Sequence, residues 1–271
     1  MAKEVYVGVN NVARKIKKGY IGIDNVARKI KMAYIGIGGV ARPCWSGDGG
    51  KVEYYGTITS LNFAFNNGDA THVGNYALFG GQNKVNAYNT SLVMSSPADL
   101  GKSRDFLAAT HVGDYAIFGG GGYDDWGSGF NTVDAYNTSL TKVTIDNLSV
   151  GRGGLVATHV GNYALFGGGI KSSNVSSNVV DAYNASLTRS TPTTLSSNRV
   201  DIAATHVGDY AIFGGAYNSG NVDAYNSSLT RSRPSGFSIS RGAATHVGNY
   251  ALFGGGFTSS GQSNTVYAYN A

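Results

Sequence analysis

One string constrains this chain more than anything else in it: ATHVG, then Asn or Asp, then YA, Leu or Ile, and FGG, occurring five times. The histidines His72, His111, His159, His206 and His246 mark the copies, at spacings of 39, 48, 47 and 40 residues, and they are the five histidines of the chain. Self-similarity at such a period means that each copy is one supersecondary unit that cannot bury its apolar surface alone. The units must stack, and whatever differs between them maps to loops.

Within a unit the periodicity is that of strands. AATHV turns at Gly-Asn or Gly-Asp into YALFGG, a loop of variable length leads to VDAYN, and SLTRS with a polar stretch supplies a weaker fourth strand. Four short strands in 40–50 residues are the size of one β-propeller blade, so five copies predict an all-β, five-bladed propeller over residues 51–271. With 40 glycines in 271 residues, about twice ordinary usage, the chain is rich in turns. The hydrophobic share of 42% still provides a core. The sequence stops after the third strand of the fifth unit at TVYAYNA, and KVEYYGTITSLNFAF precedes the first unit. Because an open sheet edge needs pairing, residues 52–65 are expected to supply the missing fourth strand.

A second repeat, of fourteen residues, occupies the N-terminus. Tyr6, Tyr20 and Tyr34 each open a β-branched run that reaches Asn10-Asn11, Asp24-Asn25 or Gly38-Gly39 and continues as VAR. Two residues that tolerate positive φ between such runs signal a hairpin. Residues 1–45 therefore read as a small antiparallel β-hairpin module and 46–50 as a linker. The module carries nine Lys and Arg against two acids, whereas residues 46–271 carry twelve against fourteen. The basic character of the chain belongs to this module alone. Its cations sit in a patterned repeat, so they argue for protein contacts rather than nucleic acid. A three-hairpin sheet has a thin core, and Tyr6, Tyr20, Tyr34 and Trp45 are the expected subunit contacts.

The body resembles the kelch family. The diglycine closing the second strand (Gly80-Gly81, Gly119-Gly120, Gly167-Gly168, Gly214-Gly215, Gly254-Gly255), the third-strand tyrosines (Tyr88, Tyr136, Tyr183, Tyr225, Tyr269) and an arginine before the first strand carry the likeness. The tryptophan that kelch repeats place after the third strand is missing, and Leu92, Leu140, Leu187 and Leu229 lie nearby instead. The N-terminal repeats are similar to modules at the front of tail-associated proteins of phages and prophages of Gram-positive bacteria. That resemblance implies a virion protein that docks to other virion proteins through residues 1–45, forms a homo-oligomer in an assembly and presents a propeller to a host surface glycan or protein. A purely structural decoration protein and a glycan-active enzyme are the alternatives.

No catalytic set can be nominated, because every candidate is repeated in all units. The histidines are expected to be packing residues that hydrogen-bond between blades; a mononuclear metal site would need three or four converging ligands. One cysteine, Cys44, excludes internal disulfides. No cofactor and no metal are expected. No apolar run is long enough to span a membrane, and no signal peptide precedes the module. The informative residues are the unlike ones, in the loops after the second strands. Tyr123, Asp124, Asp125 and Trp126, with Tyr217 and Phe257, form the expected ligand-binding set. Arg104, Arg152, Arg199 and Arg241 are expected on the same face as further ligand-binding residues, with internal pairing to Asp105 or Asp201 as their alternative role.

Overall fold

The computed structural model describes the strands within residues 6–46, and Tyr54, 56–122, 129–172, 174–216 and 219–271. The chain divides into two compact units, Met1–Thr57 and Ile58–Ala271. Among the described residues there is no helix, and every sheet is antiparallel.

In the first unit the fourteen-residue repeat folds as three separate two-stranded hairpins: Tyr6–Val9 with Val12–Lys15, Gly19–Ile23 with Val26–Ile30, and Met32–Ile37 with Val40–Ser46. Val9 faces Val12, Ile23 faces Val26 and Ile37 faces Val40 at the ends of the hairpins, and the Asn, Asp and Gly pairs between them lie outside the described residues. Among the described residues no strand of one hairpin pairs with a strand of another, where the sequence suggested a single sheet. The side chains of Tyr6, Tyr20, Tyr34 and Trp45 lie outside the described part.

Among its described residues the second unit contains five sheets of three or four strands, besides two small hairpins, Ile170–Lys171 with Val175–Ser176 and Phe257–Thr258 with Gly261–Gln262. The first consists of Asp69–Val73, Tyr76–Gly81, Lys84–Asn89 and Met94–Ser95; the second of Ala108–Val112, Tyr115–Gly119, Val133–Asn137 and Lys142–Val143. The third (Val156–Val160, Tyr163–Gly167, Val180–Asn184, Arg189–Ser190) and fourth (Ala203–Val207, Tyr210–Gly214, Val222–Asn226, Arg231–Ser232) repeat that order. The fifth has three strands, Ala243–Val247, Tyr250–Gly254 and Val266–Asn270. One register recurs: His111 faces Ala116, and Ala116 faces Tyr136, with the equivalent trio in each sheet.

The sheets stack face to face in chain order. Val73, Leu78, Val85 and Ala87 of the first meet Ala109, Ala116, Phe118 and Tyr136 of the second in one apolar cluster, and three further clusters repeat the pattern. Each junction has a ring entering a hole. A Cβ placed on Gly80 would lie 2.6 Å from the Phe118 ring, and Gly119 and Gly167 receive Phe166 and Phe213 in the same way. The diglycines are therefore contact surfaces as well as strand ends.

One expectation is corrected here. Tyr54 and residues 56–65 form no strand, and no described residue pairs with the outer edge of Val266–Asn270. Residues 59–65 instead occupy, beside the first sheet, the place that the inter-unit segment occupies elsewhere. The Tyr88 hydroxyl donates to the Thr59 carbonyl as that of Tyr136 donates to Ala98 and that of Tyr183 to Asp146. The leucines at the kelch tryptophan's place also have a local reason. In the turn after VDAYN, the Asn137 side-chain oxygen accepts the N–H groups of Ser139 and Thr141, and Leu140 is held at φ 60°. Leu92, Leu187 and Leu229 adopt the same left-handed conformation.

Candidate functional site

The variable loops and the segments joining one sheet to the next emerge at one end of the stack and are hydrogen-bonded to each other. Arg104 N–H donates to the Gln82 carbonyl, Asp105 exchanges two bonds with Gly122, Gly153 exchanges two with Ile170, and Ser240 exchanges two with Phe257. This end gathers what is unlike between the units, on a rim fixed by backbone bonds.

Its described side chains are polar and bonded laterally. Asn221 Nδ2 donates to Ser197 Oγ (3.1 Å), which lies 3.1 Å from Ser219 Oγ, and the Arg233 guanidinium donates to Asn221 Oδ1 (3.1 Å). Lys102 stands over the Phe130 ring at 3.8 Å. Phe257, exposed, opens a small hairpin with Gly261–Gln262. Tyr123, Asp124, Asp125, Trp126 and Tyr217 lie outside the described residues. The Ser/Asn cluster was not singled out from the sequence, because Ser and Asn are common in every loop.

Three of the four arginines are not on that rim. Arg104, Arg152 and Arg199 are at most 1% exposed. Arg104 donates to Asp134 Oδ2 (2.7 Å), Arg152 pairs with Asp181 and Arg199 with Asp223, the aspartate of VDAYN in each case. Arg152 also donates to the carbonyls of Gly168 (3.0 Å) and Val179 (2.7 Å). Burial pushes its pKa down while Asp181 pushes it back up. Each pair braces the incoming segment to the third strand of its own sheet. A buried charge must be paired, which explains why the arginine and aspartate disappear together: Phe65 and Asn86 stand at these places in the first unit, Ile239 and Tyr267 in the fifth. Arg241 is two residues out of register with the other three. Its exposed side chain donates to Asp201 Oδ2 (3.0 Å), the pairing the sequence offered as an alternative.

The histidines contact one another. The rings of His72, His111, His159, His206 and His246 lie against one another in a row, tilted by 44–49°, with centroids 4.1, 4.3, 4.0 and 4.1 Å apart, in place of the hydrogen bonds expected. Burial, with repulsion from neighbouring imidazoles added, lowers the pKa of His111 and of His159 to about 4. Neutral rings can pack at this distance; a row of imidazolium ions would repel. No group of three or more metal-ligating side chains occurs among the described residues, and no described helix is long and apolar enough to cross a membrane.

No known family profile matches the sequence, and no curated protein does. The solved structure of YjhT is similar in fold, with a TM-score of 0.60 over 74% of this chain and 75% of that one at 14% identity. At that identity the likeness bears on the fold alone: an all-β chain of repeated antiparallel sheets.

Proposed function

We propose that the five sheets are blades of the kelch type and that the protein is a binding module of a phage or prophage particle. Residues 1–45 dock to other virion proteins, and the loop end of the blades binds a host surface ligand, a glycan in this reading. The observation that carries it is the gathering of all variable loops at one end, on a scaffold whose other positions are nearly invariant from unit to unit. Loops held by a rigid framework are where recognition residues concentrate. The hydroxyl and amide groups of Ser197, Ser219 and Asn221 suit a ligand rich in hydroxyls. An aromatic such as Trp126 offers a sugar ring a stacking face. A shallow rim gives weak affinity per site, which many copies on a particle would multiply. We read the protein as a binder rather than an enzyme, since its histidines and buried arginines already serve the scaffold.

The test is an array of immobilised Gram-positive cell-wall glycans probed with the full chain. Trp126→Ala should lose binding with unfolding unchanged, whereas His159→Ala should lose stability first. Equal binding by wild type and Trp126→Ala would remove the best residue of this reading.

A further inference from the structure

The outer faces of the first and fifth sheets are uncovered, and each carries what the other lacks. Val73, Val112, Val160 and Val207 are each 2% exposed because the next sheet covers them; Val247, at the same repeat position, is 61% exposed. Val266 is 61% exposed where its counterparts Val85, Val133, Val180 and Val222 are buried. At the other end, Ala70 and Ala77 are exposed and Phe79 is half-buried, although Phe118, Phe166, Phe213 and Phe253 are fully buried at the equivalent position. The fifth sheet thus has an unfilled face and the first an unused ring.

The finer contacts agree. A Cβ on the turn glycines Gly113, Gly161 and Gly208 would lie 3.1–3.3 Å from the Cβ of Ala185, Ser227 and Ala271 in the following sheet. Gly248, the fifth such glycine, has nothing within 4 Å, and neither does Gly255. The residue that would match Gly248 is Thr90, which follows Asn89 as Ala185 follows Asn184. A backbone ladder also stops at both ends. Phe106 N–H donates to Asn67 O, Gly154 N–H to Phe106 O and Arg241 N–H to Asp201 O. Asn67 N–H and Arg241 O are the next rungs.

We infer that these faces form a further junction between two copies of the chain, the fifth sheet of one receiving the first sheet of the other. The four existing junctions share one geometry, shown by histidine spacings of 4.0–4.3 Å, so packing sets the step from sheet to sheet. With that step, one chain leaves both of its end faces open. A second copy covers them with no change in any junction. The buried Arg–Asp brace is absent from the first and fifth units, and Arg241 on the last rung is already paired with Asp201, so docking strands no buried ion. The contact is head-to-tail, the class that builds rings or filaments.

Two experiments on the full chain test this. In a Cys44→Ser background, chains carrying Gly248→Cys are mixed with chains carrying Thr90→Cys and oxidised; a disulfide needs Cβ atoms about 3.5–4.5 Å apart, close to the internal spacing. A mixed disulfide dimer is expected. Failure of the two chains to cross-link, with the doubly substituted chain closing on itself instead, would overturn the inference in favour of a ring closed within one chain. Sedimentation over a concentration series provides a readout without a strained cysteine. Val247→Asp, at an exposed position, should fold normally and weaken association roughly 100-fold or more, because docking would bury an unpaired carboxylate. Identical sedimentation of wild type and Val247→Asp would equally overturn it.

Discussion

Removing the brace in the third sheet should reveal how much of the stack depends on a buried ion pair. Arg152 and Asp181 are fully buried and paired, and Arg152 adds two bonds to backbone carbonyls. Breaking such a pair from one side costs roughly 3–5 kcal/mol, mostly because the remaining charge is stranded. Asp181 would retain Ser149 N–H (2.9 Å) and Arg189 (3.3 Å), so Arg152→Met should fall near the lower bound, about 3 kcal/mol. Asp181→Asn strands the arginine and should cost a similar amount. The double variant Arg152→Met/Asp181→Asn resembles the first unit, where Asn86 still accepts the Asn62 N–H (3.0 Å) without an arginine. It should therefore cost less than the two singles combined, with a coupling energy of about 2 kcal/mol or more. The assay is urea unfolding followed by circular dichroism and tryptophan fluorescence. At a slope of about 2–3 kcal/mol/M, each single change should lower the midpoint by roughly 1 M or slightly more. A coupling below about 0.5 kcal/mol would refute the brace.

Acid should weaken the stack through its histidines. His111 and His159 have pKa values of about 4 when folded and near 6.5 in the unfolded chain. Their stabilisation is therefore complete above pH 6.5, is lost as pH falls from 6.5 to about 4, and changes no further below that. Taken at face value each would contribute about 3 kcal/mol; being half-exposed, each is screened to roughly 1 kcal/mol. Denaturation at pH 7.5 and 4.5 should show that difference in wild type and a smaller one in His111→Asn/His159→Asn; an unchanged difference would count against the row of neutral rings. Gly167→Ala places a Cβ 2.7 Å from the Phe213 ring and should cost roughly 1–3 kcal/mol by overpacking. Gly254→Ala, whose nearest neighbour is the exposed Val266 at 3.0 Å, should cost less in dilute solution, and equal losses would contradict the ring-in-hole junction.

Much of the scaffold was legible because its signals are local. Period-two strands, two-residue turns and the variable loop follow from residue type, and the strand register agrees with them in all five units. The arginines were harder to assign. Arg104, Arg152 and Arg199 each precede their histidine by seven residues and Arg241 by five. Only the three in register accompany an aspartate in VDAYN, and that pairing was the available sign of burial. The uncovered end faces were not legible, since Val247 and Val207 lie in the same string and differ only in having a neighbour. The open edge of the fifth sheet was foreseen as a problem, but residues 58–65 are held by Tyr88 and Asn86 of the first sheet and so are not available to solve it.

The central claim is that binding resides in the unlike loops and stability in the repeated scaffold. Replacing residues 123–128 by a Gly-Ser pair tests this most directly, because the flanking bonds of Gly121, Gly122 and Phe130 remain. Full-chain wild type and loop variant would be compared for unfolding midpoint and for retention on immobilised host cell wall. The account predicts the same midpoint within error and at least a tenfold loss of retention, about 1.4 kcal/mol. Undiminished retention, or a collapse of stability with the loop, would contradict it.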